Sequence, residues 1–524
     1  MLQAMNADVL IIGGGFGGCS AAMAAAKAGK RVIMTEETDW IGGQVTSQAV
    51  PPDEHRWIEQ FGCTRTYRTF RDKVREYYKR NYPLTPEAAA NPRLNPGNAI
   101  VSRLCVEPRV ALAVLNEMMA PHVHSGAVTI LLNRRPVAAE SDGNRISNVT
   151  VRRTLDGEEQ TLHAPYVLDA TECGDLLPLA GVEYVTGAES RAETGEPNAL
   201  EGDAEPGDVQ SFTVVFAMDY RDGEDHTIEK PRDYEFWKAY QAPFMKDRML
   251  SWATSSFSPY KSFNLFRQPE PGTFPLWDYR RSIDKSNFVA GTFDSDITLV
   301  NWPQNDYWLG NLIDVAEEER ELHIERAKNL SLSLLYWLQT EAPRPDGGQG
   351  YPGLRLRKDV LGTEDGMAKA PYIRESRRIR AEFTVAEQHV SPAARGRNDA
   401  EKFADSVGVG CYRIDLHPTT GGREGCYVPV SPFQIPLGSL IPVRVDNVLP
   451  ACKNIGATHL TNGCYRLHPV EWNIGEAAGY LAAYCLDQGV TPRQVRNTET
   501  LLRDFQARLV RAGVELDWPV VEPV

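Results

Sequence analysis

Three residues toward the carboxyl end carry side chains suited to proton transfer and anion binding: His459, Arg466 and His468. A histidine with an ordinary pKa of about 6.5 suits a base at neutral pH, and an arginine fork grips a carboxylate through two parallel hydrogen bonds. Each has a structural alternative as well. The histidines can orient the loop that carries them, and Arg466 can pair with Glu471 or Glu476. Cys452 and Cys464 lack C-x-x-C spacing and read as small buried hydrophobes. No Ser-His-Asp elbow occurs, and His122-Val123-His124 has no Cys or carboxylate cluster nearby, so no metal site is expected.

The elements that must position this chemistry begin at the amino end. Asp8-Val9-Leu10-Ile11-Ile12 is a continuous apolar run, the pattern of a buried parallel strand. Gly13, Gly15 and Gly18 follow with G-x-G-x-x-G spacing; residues 19–30 supply a helix rich in small side chains, and Arg31–Glu36 a second strand. Glycine serves three needs here: a tight turn, backbone approach to a diphosphate, and close helix–strand packing. The phosphates then meet unpaired N–H groups at the positive end of the helix. Glu36 stands where an acidic residue accepts hydrogen bonds from a ribose, with Glu37 beside it, and its charge disfavours a 2′-phosphate. A second literal match, Gly348–Gly353, has no strand before it and a proline where a helix would start, so it is expected to be a loop.

Length and composition narrow the classes. At 524 residues the chain exceeds one ordinary core, so two connected domains are expected. A net charge of -14 argues against nucleic-acid binding, which needs basic stripes. Nine scattered cysteines suggest free thiols in a reducing compartment. No apolar stretch approaches the roughly 20 residues of a membrane span, and residues 7–28 lack the basic start of a signal peptide, so a cytoplasmic protein is expected.

Residues 67–82 have helical periodicity with Phe70, Val74 and Tyr77 on one side and basic residues opposite. Residues 107–123 read as another helix. Strands at 128–132, 137–139, 146–152 and 160–163 form a meander that delivers the chain to Tyr166–Asp169, apolar enough to rejoin the first sheet. From 189 to 440 aromatic, proline and charged residues intermix; Trp237 to Tyr279 is crowded with rings, Phe257 and Tyr260 among them, as in a domain that lines a pocket. Residues 316–340 form a long helix with an acidic start.

Gly42-Gly43, shortly after Glu36, is a glycine pair rare in NAD dehydrogenases and similar to that of many FAD enzymes. Val448-Leu449-Pro450-Ala451-Cys452-Lys453-Asn454 leads through Asn462, Arg466, His468 and Glu471 to Gly475-Glu476-Ala477-Ala478-Gly479. With the amino-terminal glycines and Asp169-Ala170-Thr171-Glu172-Cys173-Gly174-Asp175, these segments resemble the FAD-dependent oxidoreductase family of the glutathione-reductase-like flavoprotein superfamily, related to fumarate reductase-type and tRNA-uridine-modifying flavoproteins. The resemblance covers residues 7–48, 107–187 and 440–488.

It implies an α/β fold: a Rossmann-like FAD-binding domain with a three-layer parallel sheet (1–50, 100–188 and 440–490), an inserted α+β substrate or cap domain (189–439), a helical insertion (51–99) and a helical tail (491–524). It implies FAD as cofactor. Gly13, Gly15, Phe16, Gly17, Gly18, Glu36 and Glu37 hold the adenosine diphosphate half, and Ala170, Thr171, Glu172 and Asp175 pass the pyrophosphate. Gly42, Gly43, Gln44, Ser47, Gln48 and Asn454 line the flavin. A helix opening at Gly475, Glu476 and Ala477 points its positive end at the flavin pyrimidine or ribityl. Many relatives have glycine where this chain has Glu172.

The implied activity is an oxidase or dehydrogenase that takes a hydride equivalent from a small organic molecule, with His459 and His468 as bases and Arg466 on a carboxylate or the flavin anion. Two alternatives stand beside it: an NAD(P)H-dependent flavin monooxygenase, weakened by Pro450–Asn454 in place of the usual Gly-Asp-Ala, and an RNA-modifying flavoprotein, weakened by the acidic balance. The expected partner is a small-molecule substrate, with no nucleic acid and no membrane; oligomeric state is open, a homo-oligomer included.

Overall fold

The computed structural model describes residues 3–253, 262–268 and 272–519. Phe257 and Tyr260, counted among the crowded rings, lie outside the described residues. The protein has a mixed α/β fold around a five-stranded parallel sheet in the order Val448–Pro450, Tyr166–Asp169, Val9–Ile12, Val32–Glu36, Val128–Leu132. Alternation along each strand divides two apolar clusters. Val9, Ile11, Val32 and Met34 join the helices Phe16–Lys27, Pro108–His124 and His468–Gln488, whereas Leu10, Ile12, Ile33 and Val167 join Ile146, Val149, Val151 and Leu162.

Two expectations about this sheet need correction. Val128–Leu132 is not the first strand of the meander; its five residues pair in register with Val32–Glu36 as an edge strand of the parallel sheet. The meander is Arg134–Asp142, Arg145–Arg153 and Glu159–His163, extended by Met5–Asn6. The second correction concerns the long carboxy-terminal helix, which starts at His468 with Pro469 in its first turn, not at Gly475. Gly475 and Gly479 lie inside it, where a Cβ would collide with the backbone oxygens of Gly17 and Ala21 on helix Phe16–Lys27. These glycines let two helices touch.

A third apolar cluster belongs to an antiparallel sheet, Arg281–Ile283, Ile297–Val300, Phe216–Tyr220 and Leu354–Leu356, covered by helix Glu317–Thr340. Residues Gly348–Gly353 form a loop. Helix Arg65–Asn81 is capped by the Thr64 hydroxyl, which accepts from Tyr67 N–H at 3.2 Å. It buries Phe70, Val74 and Tyr78 rather than Tyr77, and it buries Arg71 and Arg75 too. Those arginines are not on a solvated face because Glu54 and Glu59 come in to pair with them.

Candidate active site

Strand Val9–Ile12 ends at Gly13, whose φ of +103° only glycine adopts freely. A Cβ there would strike the backbone of Ala170, and one on Gly17 that of Ala451, so the carboxyl ends of three parallel strands converge on this turn. Helix Phe16–Lys27 then begins with no side-chain cap from its own N-cap and no acidic residue of its own in the first turn; the carboxylate at its positive end is that of Glu471, which accepts from Gly17 N–H. The Phe16 ring packs edge-on against Trp472 at 4.7 Å, in a cluster with Tyr67, Phe70 and His468. Its contribution at the turn is backbone.

A cleft with about 540 Å³ of empty space opens above this turn, lined by Gly13, Gly15, Glu36, Glu37, Gly43, Ser47, Gln48, Ala170, Thr171, Glu172 and Asp175. Arg134, from the meander, and Arg320, from helix Glu317–Thr340, also line it; neither had a local signal in the sequence. The Glu36 carboxylate accepts from Gly14 N–H at 3.1 Å and from Thr38 N–H and Oγ1 at 2.9 and 2.8 Å. Burial nonetheless pushes its pKa up to about 7. Burial raises Glu37 as well.

Glu172 reaches over the glycines: its Oε1 lies 2.9 and 2.6 Å from where a Cβ on Gly15 or Gly43 would stand, and its Oε2 is paired with Lys453. Glu471 accepts from Gly17 N–H at 3.0 Å and from the Gln44 amide, which also donates to Arg466 O at 3.0 Å. Glu172, Cys452 and Glu471 bring ligand atoms within 4.8 Å of one another, but the Lys453 ammonium sits among them and burial holds the thiol in its neutral form, so the group is a poor cation cage. Among the described residues, Gln44 Oε1, Gln48 Oε1, Glu172 Oε1, Asn454 Oδ1 and Asn462 Oδ1 are buried with no hydrogen-bond partner. Buried acceptors without donors are costly unless a ligand supplies the donors. Hydroxyl and imide N–H groups of a dinucleotide flavin match that need, and the glycine turn offers backbone approach for its diphosphate.

Gly475, Glu476 and Ala477 do not reach this cleft. Gly475 abuts Gly17, Glu476 accepts from the Thr66 hydroxyl, and Ala477 lies in the apolar cluster. His459 opens a short helix, His459–Tyr465, instead of sitting in a loop. Its Nδ1 is 2.9 Å from Glu375 Oε1. Burial opposes the imidazolium charge, yet the Glu375 carboxylate turns the shift around and raises the pKa above its ordinary value, the opposite of a poised base. His468 accepts from Asp53 N–H at Nδ1 (3.0 Å), which leaves Nε2 to donate to Val50 O (3.2 Å). Both nitrogens are used, and burial lowers its pKa to about 4. Arg466 donates to Tyr372 Oη at 2.8 Å and to Asp415 O at 3.1 Å; its carboxylate neighbour is Asp415 at 3.7 Å, not Glu471 or Glu476.

Residues 8–509 match the profile of a family described as FAD dependent oxidoreductase. The chain belongs to that family. It is an FAD-dependent enzyme, a flavoprotein oxidoreductase. No curated protein matches it significantly. Solved structures with local likeness include Sdh1 of Mycobacterium smegmatis in complex with UQ1 (14% identity, 32% of this chain and 34% of that one, TM-score 0.21). Others are the anhydrotetracycline hydroxylase OxyS of Streptomyces rimosus (12%, 97% and 70%, 0.33) and an L-proline dehydrogenase from P. horikoshii (16%, 36% and 26%, 0.19). The chain spans about a third of the length of the first of these. Overlaps this low carry neither fold nor reaction.

Beside Gln44 and His468 the oxidoreductase has a second polar group that sequence reading missed. Asp53 and Arg280 face each other at 3.3–3.4 Å, with Tyr279 under the guanidinium at 4.9 Å from its ring centre. Arg280 and Arg466 act on the same neighbours, Asp53, Tyr372 and Tyr412. Arg280, Asp53, Arg466, Tyr372 and Asp415 are buried, while Arg413 and Tyr427 stand exposed beyond them, the guanidinium 4.5 Å from the Tyr427 ring centre. A scatter of single residues from 53, 280, 372, 412 and 466 leaves no local spacing to read. No helix among the described residues is long and apolar enough to cross a membrane.

Proposed function

We propose that this oxidoreductase is an oxidase or dehydrogenase that removes a hydride equivalent from a small organic molecule. The reading keeps the Rossmann-like cofactor domain (1–50, 100–188, 440–490) and the inserted cap (189–439) of the glutathione-reductase-like superfamily as its framework. One observation carries it. Two of the partnerless buried acceptors, on Gln48 and Glu172, line the glycine-loop cleft, and the hydrogen bonds from the Gln44 amide to Arg466 O and from Asp53 N–H to His468 lead from its edge to the Asp53–Arg280 group.

In this reading Glu36 accepts from ribose hydroxyls, the backbone of the Gly13–Gly18 turn takes the diphosphate, and Gln44, Ser47, Gln48 and Asn454 hydrogen-bond the flavin. FAD, when bound, supplies a two-electron acceptor. The chain supplies the rest. Glu172 and Lys453 set the charge beside the glycines. His468 cannot take a proton, since both nitrogens are engaged; it fixes the backbone of Asp53 instead. Asp53 Oδ1, buried with no hydrogen-bond donor among the described residues, is the acceptor for the substrate proton. Arg466 holds the Tyr372 phenol in place.

The test is anaerobic titration of the yellow protein. Bleaching by an organic substrate and not by NADPH supports the reading; bleaching by NADPH alone overturns it in favour of a monooxygenase. Asp53→Asn is expected to keep its flavin while substrate reduces it on the order of a hundredfold more slowly, and an unchanged reduction rate removes Asp53 from the mechanism.

A further inference from the structure

We propose that Arg280, assisted by Arg466, is the receptor for a carboxylate on the substrate, so that the oxidised molecule is a small monoanionic organic acid. The proposal rests on the reading above and names its substrate class.

The argument is one of donors left over. Arg280 is 6% exposed, and its one hydrogen bond among the described residues is from Nη2 to Asp53 Oδ2 at a slack 3.4 Å. Its Nε is buried with no hydrogen-bond partner among those residues, as is Arg466 Nε, and its Nη1 meets Asp53 Oδ1 at 3.3 Å as an ion pair without a formed hydrogen bond. A guanidinium has five N–H donors in a planar fork, and a buried one left largely unsatisfied is expensive. Water is a poor remedy beside the Tyr279 ring. A planar carboxylate satisfies the Nε–Nη edge with two parallel bonds.

Charge selects a monoanion. Arg280 and Arg466 are offset by Asp53 and Asp415, and Arg413 at the exposed edge adds one uncompensated positive charge to this group. One carboxylate balances it; a phosphate dianion would face two aspartates. The site lies beside His468 and Gln44, which puts the bound acid next to the cleft that takes the flavin. Arg280→Lys would keep the charge and lose the fork.

The experiment titrates purified FAD-loaded protein with sodium benzoate and sodium pyruvate and, as uncharged counterparts, benzamide and acetamide, following the flavin visible band and calorimetric heats. Expected are saturable binding of the acids, amides weaker by about tenfold or more, and a further loss of roughly tenfold to a hundredfold in Arg280→Gln at unchanged flavin content. Arg280→Lys should fall between, and it serves if the glutamine variant does not fold. Equal binding of acid and amide, no binding of either acid, or acid binding that both variants retain at full strength overturns the proposal. A yellow protein indifferent to the acids sinks the receptor and leaves substrate oxidation standing. A protein that binds benzoate through Arg280 but is reduced only by NADPH keeps the receptor and sinks the oxidase or dehydrogenase reading.

Discussion

Two sets of buried arginines in this protein differ in how fully their donors are used. Arg71, 1% exposed, makes four hydrogen bonds of 2.7–3.2 Å to the carboxylates of Glu54 and Glu59. Arg378, wholly buried, donates to Ala457 O, Gly187 O, Glu189 and Glu375. Arg280 and Arg466 are buried to a similar degree, yet their carboxylate partners stand off at 3.3–3.7 Å and donors remain empty among the described residues. Burial alone therefore says little about role. A saturated guanidinium is cross-bracing; an unsaturated one still has donors to offer.

The largest effect that sharpens this contrast is on stability. Among the described residues, Arg71→Ala removes the only cation paired with the Glu54 carboxylate, whose side chain is wholly buried, and leaves Glu59 to Arg75 alone. It is expected to cost about 3–5 kcal/mol, read from urea unfolding. Arg280→Ala is expected to cost only about 1–2 kcal/mol, because the bonds it gives up are slack. If the two variants unfold alike, the contrast fails.

The same comparison extends to carboxylates. Burial works against the charge of Glu375, but His459 and Arg378 surround it and bring its pKa down to about 2. Glu36 is buried with as many donors, all of them uncharged, and sits at about 7. For Glu375, depressed below an ordinary 4.5, the stabilisation is present above pH 4.5 and is lost as pH falls toward 2. For Glu36, raised above 4.5, the favourable contribution is complete below pH 4.5 and is lost as pH rises through about 7. In the proposed binding mode ribose hydroxyls donate to the charged form, so FAD binding is expected to release a proton. Its affinity should rise with pH by up to about tenfold per unit below the pKa of Glu36 and level off above it. Flavin fluorescence titrations at several pH values check this, and Glu36→Gln should flatten the profile.

The smallest effect expected concerns Glu172, half-used in the same sense: Oε2 is paired with Lys453, and Oε1 faces the glycines without a partner among the described residues. A negative charge there opposes a diphosphate. Glu172→Gln is expected to tighten FAD binding by about threefold to tenfold, and a weaker complex would show that the carboxylate helps to hold the cofactor.

The sequence makes the glycine turn, both flanking strands and Glu36 legible because all of them follow from contacts within some thirty consecutive residues. Helices Pro108–His124 and Glu317–Thr340 are legible through periodicity and an acidic start. Gly475 misleads because glycine followed by glutamate looks like a helix opening, while its true reason, contact with Gly17, lies on another helix. Arg71 and Arg75 mislead in the same way, since a basic stripe reads as solvated until Glu54 and Glu59 fold back on it. The Arg280–Asp53 pair spans 227 positions, beyond any local pattern.

The pairing of the first helix with the last long one has a consequence for biosynthesis. Gly17 N–H donates to a carboxylate 454 positions later, that of Glu471, and the Ser20 hydroxyl donates to Trp472 O nearly as far along. On the ribosome, the alanine-rich flank of helix Phe16–Lys27 has no mate until helix His468–Gln488 has been made. Coenzyme uptake is therefore expected only after the helix His468–Gln488 has formed, and polypeptides cut short before residue 440 should emerge colourless and dependent on chaperones despite an intact glycine signature.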